Sequence, residues 1–597
     1  MIKDVIKRFK EIVNLYPDKR FLINADKTFT YREIDDISDK VCHYLNMHSI
    51  GIEDVVAVYI ERSYLSLISV LGILKAKAAF LPIDSKTPIQ RVNSMIELSR
   101  AKCILTENVN AIDCSNKTIT VNIHDILSLS DNPIDILEHE EIQDSTLAYI
   151  LFTSGSTGLP KGAMVEHGGM NNHLMEKIRL LNLNNESVIA HNASISFDVS
   201  VWQMLAPICI GATLVIFPEN DLINLRNFIS ALKKNQVDIL EVVPTYLNVM
   251  LHELKKRPAD LRCIKYVIST GEVLTKSLAD RCFEIFPNSF LVNAYGPTEA
   301  SDDITHCIFD KNHNYNEIPI GKPINNANIN LVKSDGSICG VNEAGELLVS
   351  GICVGRGYVS NESETKLSFL VDPNTGIRTY RTGDLVSMQI DGNYIFHERI
   401  DMQISIHGKR VELKEIERIL LKYPRINDCA VIYLPQREQL AAYYVCDDNN
   451  KLDIVEIKNH LKIYLPMHMI PTYINCIDKL PTNISGKVDS IALQELFKSS
   501  SVNNSNDNLL CVNDNESSSV EDVLLKALQE IIENIQLSDN DEWKNDMQLI
   551  GMNSISAIKL IVKIEEIFDF EFEDEYLLPK YLYNFKKLVS CIEKHKG

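Results

Sequence analysis

From residue 1 to about residue 400 the chain alternates short β-branched or aliphatic runs with amphipathic stretches. Val55–Ile60, Ala148–Thr153, Thr213–Phe217 and Leu240–Val243 are such runs. A strand that is apolar on both faces must be covered on both faces, so this alternation predicts α/β architecture with parallel sheets flanked by helices. Around Arg399–Asp401 the pattern changes to a smaller α+β region that ends near Phe497. Residues 499–519, rich in Ser, Asn and Asp, read as a flexible linker. Beyond it, Val520–Ile535 and Ser554–Phe568 space their apolar residues as helices do. The expected division is therefore a core over 1–400, a small subdomain over 401–498, a linker over 499–519 and a helical domain over 520–597. No internal repeat is visible.

Composition narrows the function more than the fold. The chain has 597 residues, too many for one hydrophobic core, with 45% hydrophobic and 24% charged residues. Its formal net charge of −21 argues against nucleic acid as the main partner, since phosphate binding needs clustered Lys and Arg. The 14 cysteines form no C-x-x-C pair and have no His at zinc spacing, so they read as reduced thiols. The first twenty or so residues are charged and amphipathic without a signal-peptide core, and apolar runs such as Val199–Ile210 are too short to span a bilayer. A cytoplasmic location is expected, with no membrane partner.

The chemistry begins at Thr153-Ser-Gly-Ser-Thr-Gly-Leu-Pro-Lys161-Gly162, directly after the apolar run Leu147–Phe152. Gly155, Gly158 and Gly162 let backbone turn tightly and approach an anion. Thr153, Ser154, Ser156 and Thr157 offer hydroxyls, and Lys161 adds positive charge, which together make a phosphate cradle. It is not the G-x-x-x-x-G-K-[ST] loop, because Gly162 follows Lys161.

This segment resembles the signature loop of adenylate-forming enzymes, and LAYILFTSGSTGLPKG resembles the amino-acid-activating branch found in nonribosomal peptide synthetases. The resemblance continues in order through LKAKAAFLPID, FDVSVW, NAYGPTE, GELLVSGICVGRGY, YRTGDL, ERIDMQISIHGKRVELKEIE, LPMHMIP and SGKVD. It implies a large adenylation domain of stacked sheets and helices, a small mobile C-terminal subdomain, and a carrier domain resembling a four-helix bundle.

The resemblance also implies residue roles. Lys487 bridges the substrate carboxylate and the α-phosphate, Lys161 assists, and Glu299 holds Mg²⁺. Gly271, Glu272, Asn293, Ala294, Tyr295, Gly296 and Thr298 join the loop around ATP, with the Tyr295 ring stacked on the base. Asp384 and Arg399 contact the ribose, and Asp401 is the hinge on which the small subdomain turns between adenylation and thiolation. Ser554, in LIGMNSI at the start of a helix, carries 4′-phosphopantetheine, so a phosphopantetheinyl transferase is an expected partner. Ser554 also suits an ordinary helix N-cap. With no condensation or thioesterase segment visible, a separate downstream enzyme is expected to take the cargo.

Asp198 matches the family aspartate that binds a substrate α-ammonium, which favours an amino acid over an aryl or acyl substrate. By the same resemblance Val199, Trp202, Glu241, Ile268, Thr270, Ala294, Asp302 and Asp303 line the side-chain pocket. Carboxylates in an apolar pocket need compensation, and a cationic substrate would supply it. Glu241, Asp302 and Asp303 therefore predict a basic amino acid, with arginine first, then lysine, ornithine or another diamino acid. The alternative at the residue level is that Asp302 or Asp303 faces solvent or pairs with a Lys or Arg of the protein. Lys77, Glu398, Ser405, His407 and Asn553 depart from the family pattern. Other readings are an acyl-CoA or aryl-acid ligase, or a catalytically degenerate platform.

Overall fold

The apolar runs form the interior strands of two large sheets. The computed structural model describes residues 4–112, 118–129, 142–155, 160–312, 314–400, 403–446, 452–482, 488–507, 519–532, 541–552, 554–568, 570, 572, 574–577 and 579–596. The chain divides into two units: the first comprises 1–153, 160–219 and 228–402, the second 154–159, 220–227 and 403–597.

In the first unit, a seven-stranded sheet centres on Val55–Tyr59, parallel to Ala79–Ile83 on one side and Cys103–Thr106 on the other. A nine-stranded sheet carries the parallel run Ile239–Val242, Tyr266–Ser269 and Phe290–Tyr295. The helix Tyr64–Lys75 is apolar on nearly every side and is buried along nearly its whole length in the shared core. It approaches the helix Tyr31–Met47 closely because Gly72 has no side chain: a Cβ there would lie 2.4 Å from the Val41 Cβ. Lys75, at the C-terminal end of the same helix, is buried with Asp35 Oδ1 at 2.7 Å and the Ser38 hydroxyl also at 2.7 Å.

A third sheet departs from the parallel expectation. Ala327–Val332, Ala344–Gly351, Arg378–Met388, Phe369–Val371 and Tyr394–Arg399 pair antiparallel. Buried and less buried positions alternate along Ala344–Gly351, whereas Ala79–Ile83 is buried throughout. The antiparallel sheet keeps one open face, so its strands lack the continuous apolar signal.

In the second unit, Ile426–Leu434, Gln439–Cys446 and Tyr473–Cys476 form a three-stranded sheet packed by the helices Leu413–Leu420 and Ile454–Tyr464. The hairpin Gln403–Ile406 to Lys409–Glu412 turns through His407 and Gly408, both at positive φ (51° and 72°). The helix Ser490–Asp507 runs into the Ser/Asn-rich segment: buried Leu493 and Phe497 anchor its first turns, and helix propagates from an anchored nucleus.

The C-terminal region is helical. Val520–Ile531 starts with a capping box between Ser519 and Asp522. Ser554–Phe568, Pro579–Leu582 and Phe585–Lys596 follow. Leu524, Leu528, Trp543, Ile564, Phe585 and Leu588 make their common core, which Val455 of the small subdomain joins. An ion pair from Lys462 to Asp546, 2.8 Å, ties the same two regions. Among the described residues, no helix is long and apolar enough to cross a membrane.

Candidate active site

The C-terminal ends of the parallel strands gather several of the residues singled out from the sequence, where open α/β sheets hold their ligands. Glu241 lies in Ile239–Val242 and is paired in register with Ile268. Thr270, Gly271 and Glu272 follow the strand Tyr266–Ser269, and Asn293, Ala294 and Tyr295 end the strand Phe290–Tyr295. Glu272 accepts hydrogen bonds from the Thr245 backbone N–H (2.9 Å) and hydroxyl (2.7 Å), tying that turn to the start of the helix Pro244–Lys256. The Asn293 amide donates to the Pro319 carbonyl at 2.8 Å.

Asp198 opens the helix Asp198–Ile210, so the partial positive charge of the helix end faces it. The Thr298 hydroxyl donates to it at 2.5 Å, and the Val199 N–H donates at 3.0 Å. Loss of hydration nonetheless pushes its carboxyl up to about 6. Thr298 begins the short turn Thr298–Ala300, whose next residue is Glu299. Glu299 is fully buried and accepts from the Tyr358 hydroxyl at 2.6 Å. One turn thus grips two carboxylates, Asp198 through a side chain and Glu299 as its own member.

Lys161 begins the strand Lys161–Glu166, paired in register with Thr153 across the loop. Its ammonium lies 2.7 Å from Glu364 Oε1 and 5.5 Å from the centre of the Tyr358 ring. Sequence reasoning missed Glu364 and Tyr358 as site residues: Tyr358 ends the family-like segment GELLVSGICVGRGY without having been given a role, and no local pattern points to Glu364. Ser154 donates to the Arg410 carbonyl at 2.9 Å, and the Gly155 N–H donates to Glu415 at 3.1 Å, so this edge of the loop already holds a carboxylate. Ser156, Thr157, Gly158, Asp401 and Lys487 lie outside the described residues. Ser554 opens the helix Ser554–Phe568.

Asp384 and Arg399 face each other across adjacent strands. Arg399 donates to Asp384 Oδ1 at 2.7 Å, and the Tyr295 hydroxyl donates to Oδ2 at 2.5 Å. Gly296 is fixed by packing: a Cβ there would lie 1.9 Å from the Asp302 carbonyl oxygen. The following Ser301 and Asp302 both take positive φ, 64° and 84°, a strained conformation for residues with side chains. That backbone turns Asp302 and Asp303 inward.

Inside, the carboxylates meet partners that the chain itself provides, the arrangement given above as the alternative to a substrate cation. Lys177, on the helix His167–Leu180, places its ammonium 2.7 Å from Asp303 Oδ2 and 3.5 Å from Glu241 Oε2. It also sits 4.8 Å from the centre of the Trp202 ring, whose N–H donates to Glu241 Oε2 at 2.7 Å. His306 lies 3.1 Å from Asp303, and His173 lies 3.5 Å from Asp302. Burial pulls the Lys177 pKa down, but Asp303, Glu241 and Asp302 outweigh it and raise it overall. Burial alone would raise Asp303; Lys177 and the imidazoles hold it well below the carboxylate range. Asp302, buried beside Asp303 and Asp198, is pushed well above that range, and burial lifts Glu241 to about 7. Asp303 and Glu241 thus have a compensating cation within the chain, so their charge does not by itself support arginine. Sequence reasoning missed Lys177, because partners 64 and 126 positions away leave no local spacing to read.

The stacked sheets with a separate C-terminal subdomain agree with the family models, which make the chain an adenylate-forming ligase. The model for "AMP-binding enzyme" matches residues 9–359, and that for "AMP-binding enzyme C-terminal domain" matches 415–487. Zwittermicin A synthase ZmaJ of Bacillus cereus is 33% identical, over 81% of this chain and 93% of ZmaJ. Tyrocidine synthase 1 of Brevibacillus parabrevis is 28% identical over 94% of this chain, which spans 50% of that longer relative. The solved structure of holo-PA1221, an NRPS protein containing adenylation and PCP domains, has TM-score 0.75 at 22% identity, covering 94% of this chain and 91% of that one. The chain belongs to the AMP-binding enzyme family, with the organisation of a nonribosomal peptide synthetase adenylation domain and its C-terminal region.

Proposed function

We propose that the chain activates an α-amino acid with ATP as its aminoacyl adenylate and loads it onto a phosphopantetheine thiol carried by its own C-terminal helical domain. The observation that carries this reading is the turn Thr298–Ala300. It joins Asp198, suited to a substrate ammonium, to Glu299, suited to a metal bound by nucleotide phosphates. An acyl or aryl substrate would leave the buried Asp198 carboxylate with hydrogen-bond donors but no cation from the substrate.

The residues fit the nucleotide in kind. Buried Glu299 has the hard oxygen donors that Mg²⁺ prefers, and it is bonded to Tyr358, over whose ring Lys161 sits. Bound Mg²⁺ would neutralise phosphate charge. Asp384, oriented by Arg399 and Tyr295, presents a carboxylate to ribose hydroxyls. Thr153, Ser154, Gly155, Ser156, Thr157 and Gly158 are assigned to phosphates, and Gly271, Glu272, Asn293, Ala294, Tyr295, Gly296 and Thr298 to the nucleotide. Lys161 and Lys487 supply positive charge as the substrate carboxylate attacks the α-phosphorus and pyrophosphate leaves. Asp401 is the proposed hinge between a core over 1–400 and a subdomain over 401–498. Ser554, in the carrier domain over 520–597, is the proposed attachment site. Its modifying transferase and a downstream acceptor enzyme are the proposed partners, in the cytoplasm.

The side-chain pocket is assigned to Val199, Trp202, Glu241, Ile268, Thr270, Ala294, Asp302 and Asp303. The test is amino-acid-dependent ATP–pyrophosphate exchange across a panel that includes arginine, lysine and ornithine. Exchange with one amino acid or a small set is expected. No exchange with any amino acid overturns the reading, and exchange only with fatty or aryl acids replaces it.

A further inference from the structure

Four acidic side chains, Asp198, Glu241, Asp302 and Asp303, surround the region assigned to the substrate, and among the described residues Lys177 is the permanent cation paired with them. The Lys177 side chain is 1% exposed, and its ammonium sits between Glu241, Asp303 and the face of Trp202. Trp202 and Glu241 are themselves residues assigned to the pocket wall. The ammonium of Lys177 therefore stands where the charged end of a basic substrate would have to be neutralised.

We infer that Lys177 is a specificity-determining residue: it fills the cation place of the amino-acid pocket, excludes basic side chains and selects an uncharged side chain that donates a hydrogen bond. This inference rests on the adenylation reading above and names its substrate class.

The charge balance supports it from every packed element. Lys177 and Asp303 neutralise one another at 2.7 Å. His173 and His306 are held below the usual imidazole range, chiefly by burial, so both are neutral and add no further cation. Burial, with Asp303 and Asp198 alongside, raises the Asp302 carboxyl well above its usual range and so favours its neutral form. Glu241, the remaining carboxyl near Lys177, has one oxygen bonded to the Trp202 N–H. Its other oxygen, Oε1, is buried and makes no hydrogen bond among the described residues. An acceptor left in that state is costly until a donor arrives. A substrate hydroxyl or carboxamide N–H satisfies it without bringing charge. A guanidinium or ammonium would also reach an acceptor, but beside a fixed positive charge in a poorly hydrated site.

His173, Asp302 and Asp303 lie close enough together to hold a metal ion. The Lys177 ammonium on Asp303 occupies the ligand that such an ion would need.

The experiment is pyrophosphate exchange by the full chain with the proteinogenic amino acids and ornithine, for wild type, Lys177→Met, and Lys177→Met with Asp303→Asn. Wild type is expected to favour hydroxyl- or carboxamide-bearing amino acids over arginine, lysine and ornithine by roughly tenfold or more in kcat/KM. Lys177→Met, which leaves Asp303 unbalanced, is expected to raise the ratio of basic to uncharged substrates at least about tenfold. The double variant is neutral again and is expected to lose that gain. A basic amino acid as the best wild-type substrate overturns the inference whether or not a variant folds. So does an unchanged ratio in a Lys177→Met protein with native circular dichroism. No exchange by wild type with any amino acid instead overturns the adenylation reading itself.

Discussion

At the scale of single residues, the candidate site is a set of carboxyls whose environments differ. Asp198 accepts from Thr298 and the Val199 N–H, yet its carboxyl titrates near 6 because burial outweighs those bonds. The substrate ammonium needs the ionised form. Above about pH 6 that form is present; as pH falls through 6, Asp198 takes up a proton and binding is lost. The expected outcome is a KM for the amino acid that rises about tenfold per pH unit below 6, with kcat at saturation changing less. Asp198→Asn should raise KM at pH 8 and flatten this limb; a profile unaltered by Asp198→Asn removes it from the ammonium site. Tyr358 offers a second test. Its hydroxyl holds buried Glu299 at 2.6 Å, and a hydrogen bond to a charged group contributes about 1.5–3 kcal/mol. Tyr358→Phe should lower kcat/KM for exchange by roughly 10–100-fold, and wild-type kinetics in that variant would show Glu299 to be held by other means.

At the scale of elements, the site depends on helices and strands that sequence patterns identified unevenly. The helix Tyr64–Lys75 reads as an apolar run, and its surroundings make it a buried element between sheets. Gly72 lets it meet Tyr31–Met47, with the Val41 side chain at 2.4 Å and the Ser38 carbonyl oxygen at 2.9 Å from any added Cβ. Gly72→Ala should destabilise the first unit by about 1–3 kcal/mol, seen as a lower urea midpoint with little change in substrate KM. An unchanged midpoint would mean that the two helices separate without cost. The interior strands Val55–Tyr59 and Thr213–Ile216 were legible because burial on both faces demands apolar residues throughout. The antiparallel sheet around Arg378–Met388 was not, because its strands alternate buried and less buried positions. That sheet nonetheless brings Asp384 beside Arg399, a cross-strand pair that no local pattern announces.

At the scale of the whole molecule, the proposed reaction has two halves that separate experimentally. Lys487→Ala should abolish most amino-acid-dependent exchange while leaving Ser554 open to pantetheinylation. Ser554→Ala should leave exchange intact and abolish covalent loading, read by retention of radiolabelled amino acid on acid-precipitated protein. Loading that survives Ser554→Ala excludes that residue as the attachment site. The class of chemistry was legible before any fold was known. The phosphate-loop glycines and hydroxyls, Glu299, Asp384 and Asp198 are residue types in local runs, and local runs are what a linear chain displays. What compensates the buried acids was decided by packing alone. Lys177 lies 64 positions before Glu241 and 126 before Asp303 in the chain, yet its ammonium reaches both. An ion pair formed by packing a helix against a sheet leaves no local spacing to read. The carboxylates by themselves therefore pointed to a cation brought by the substrate, where the fold supplies one of its own.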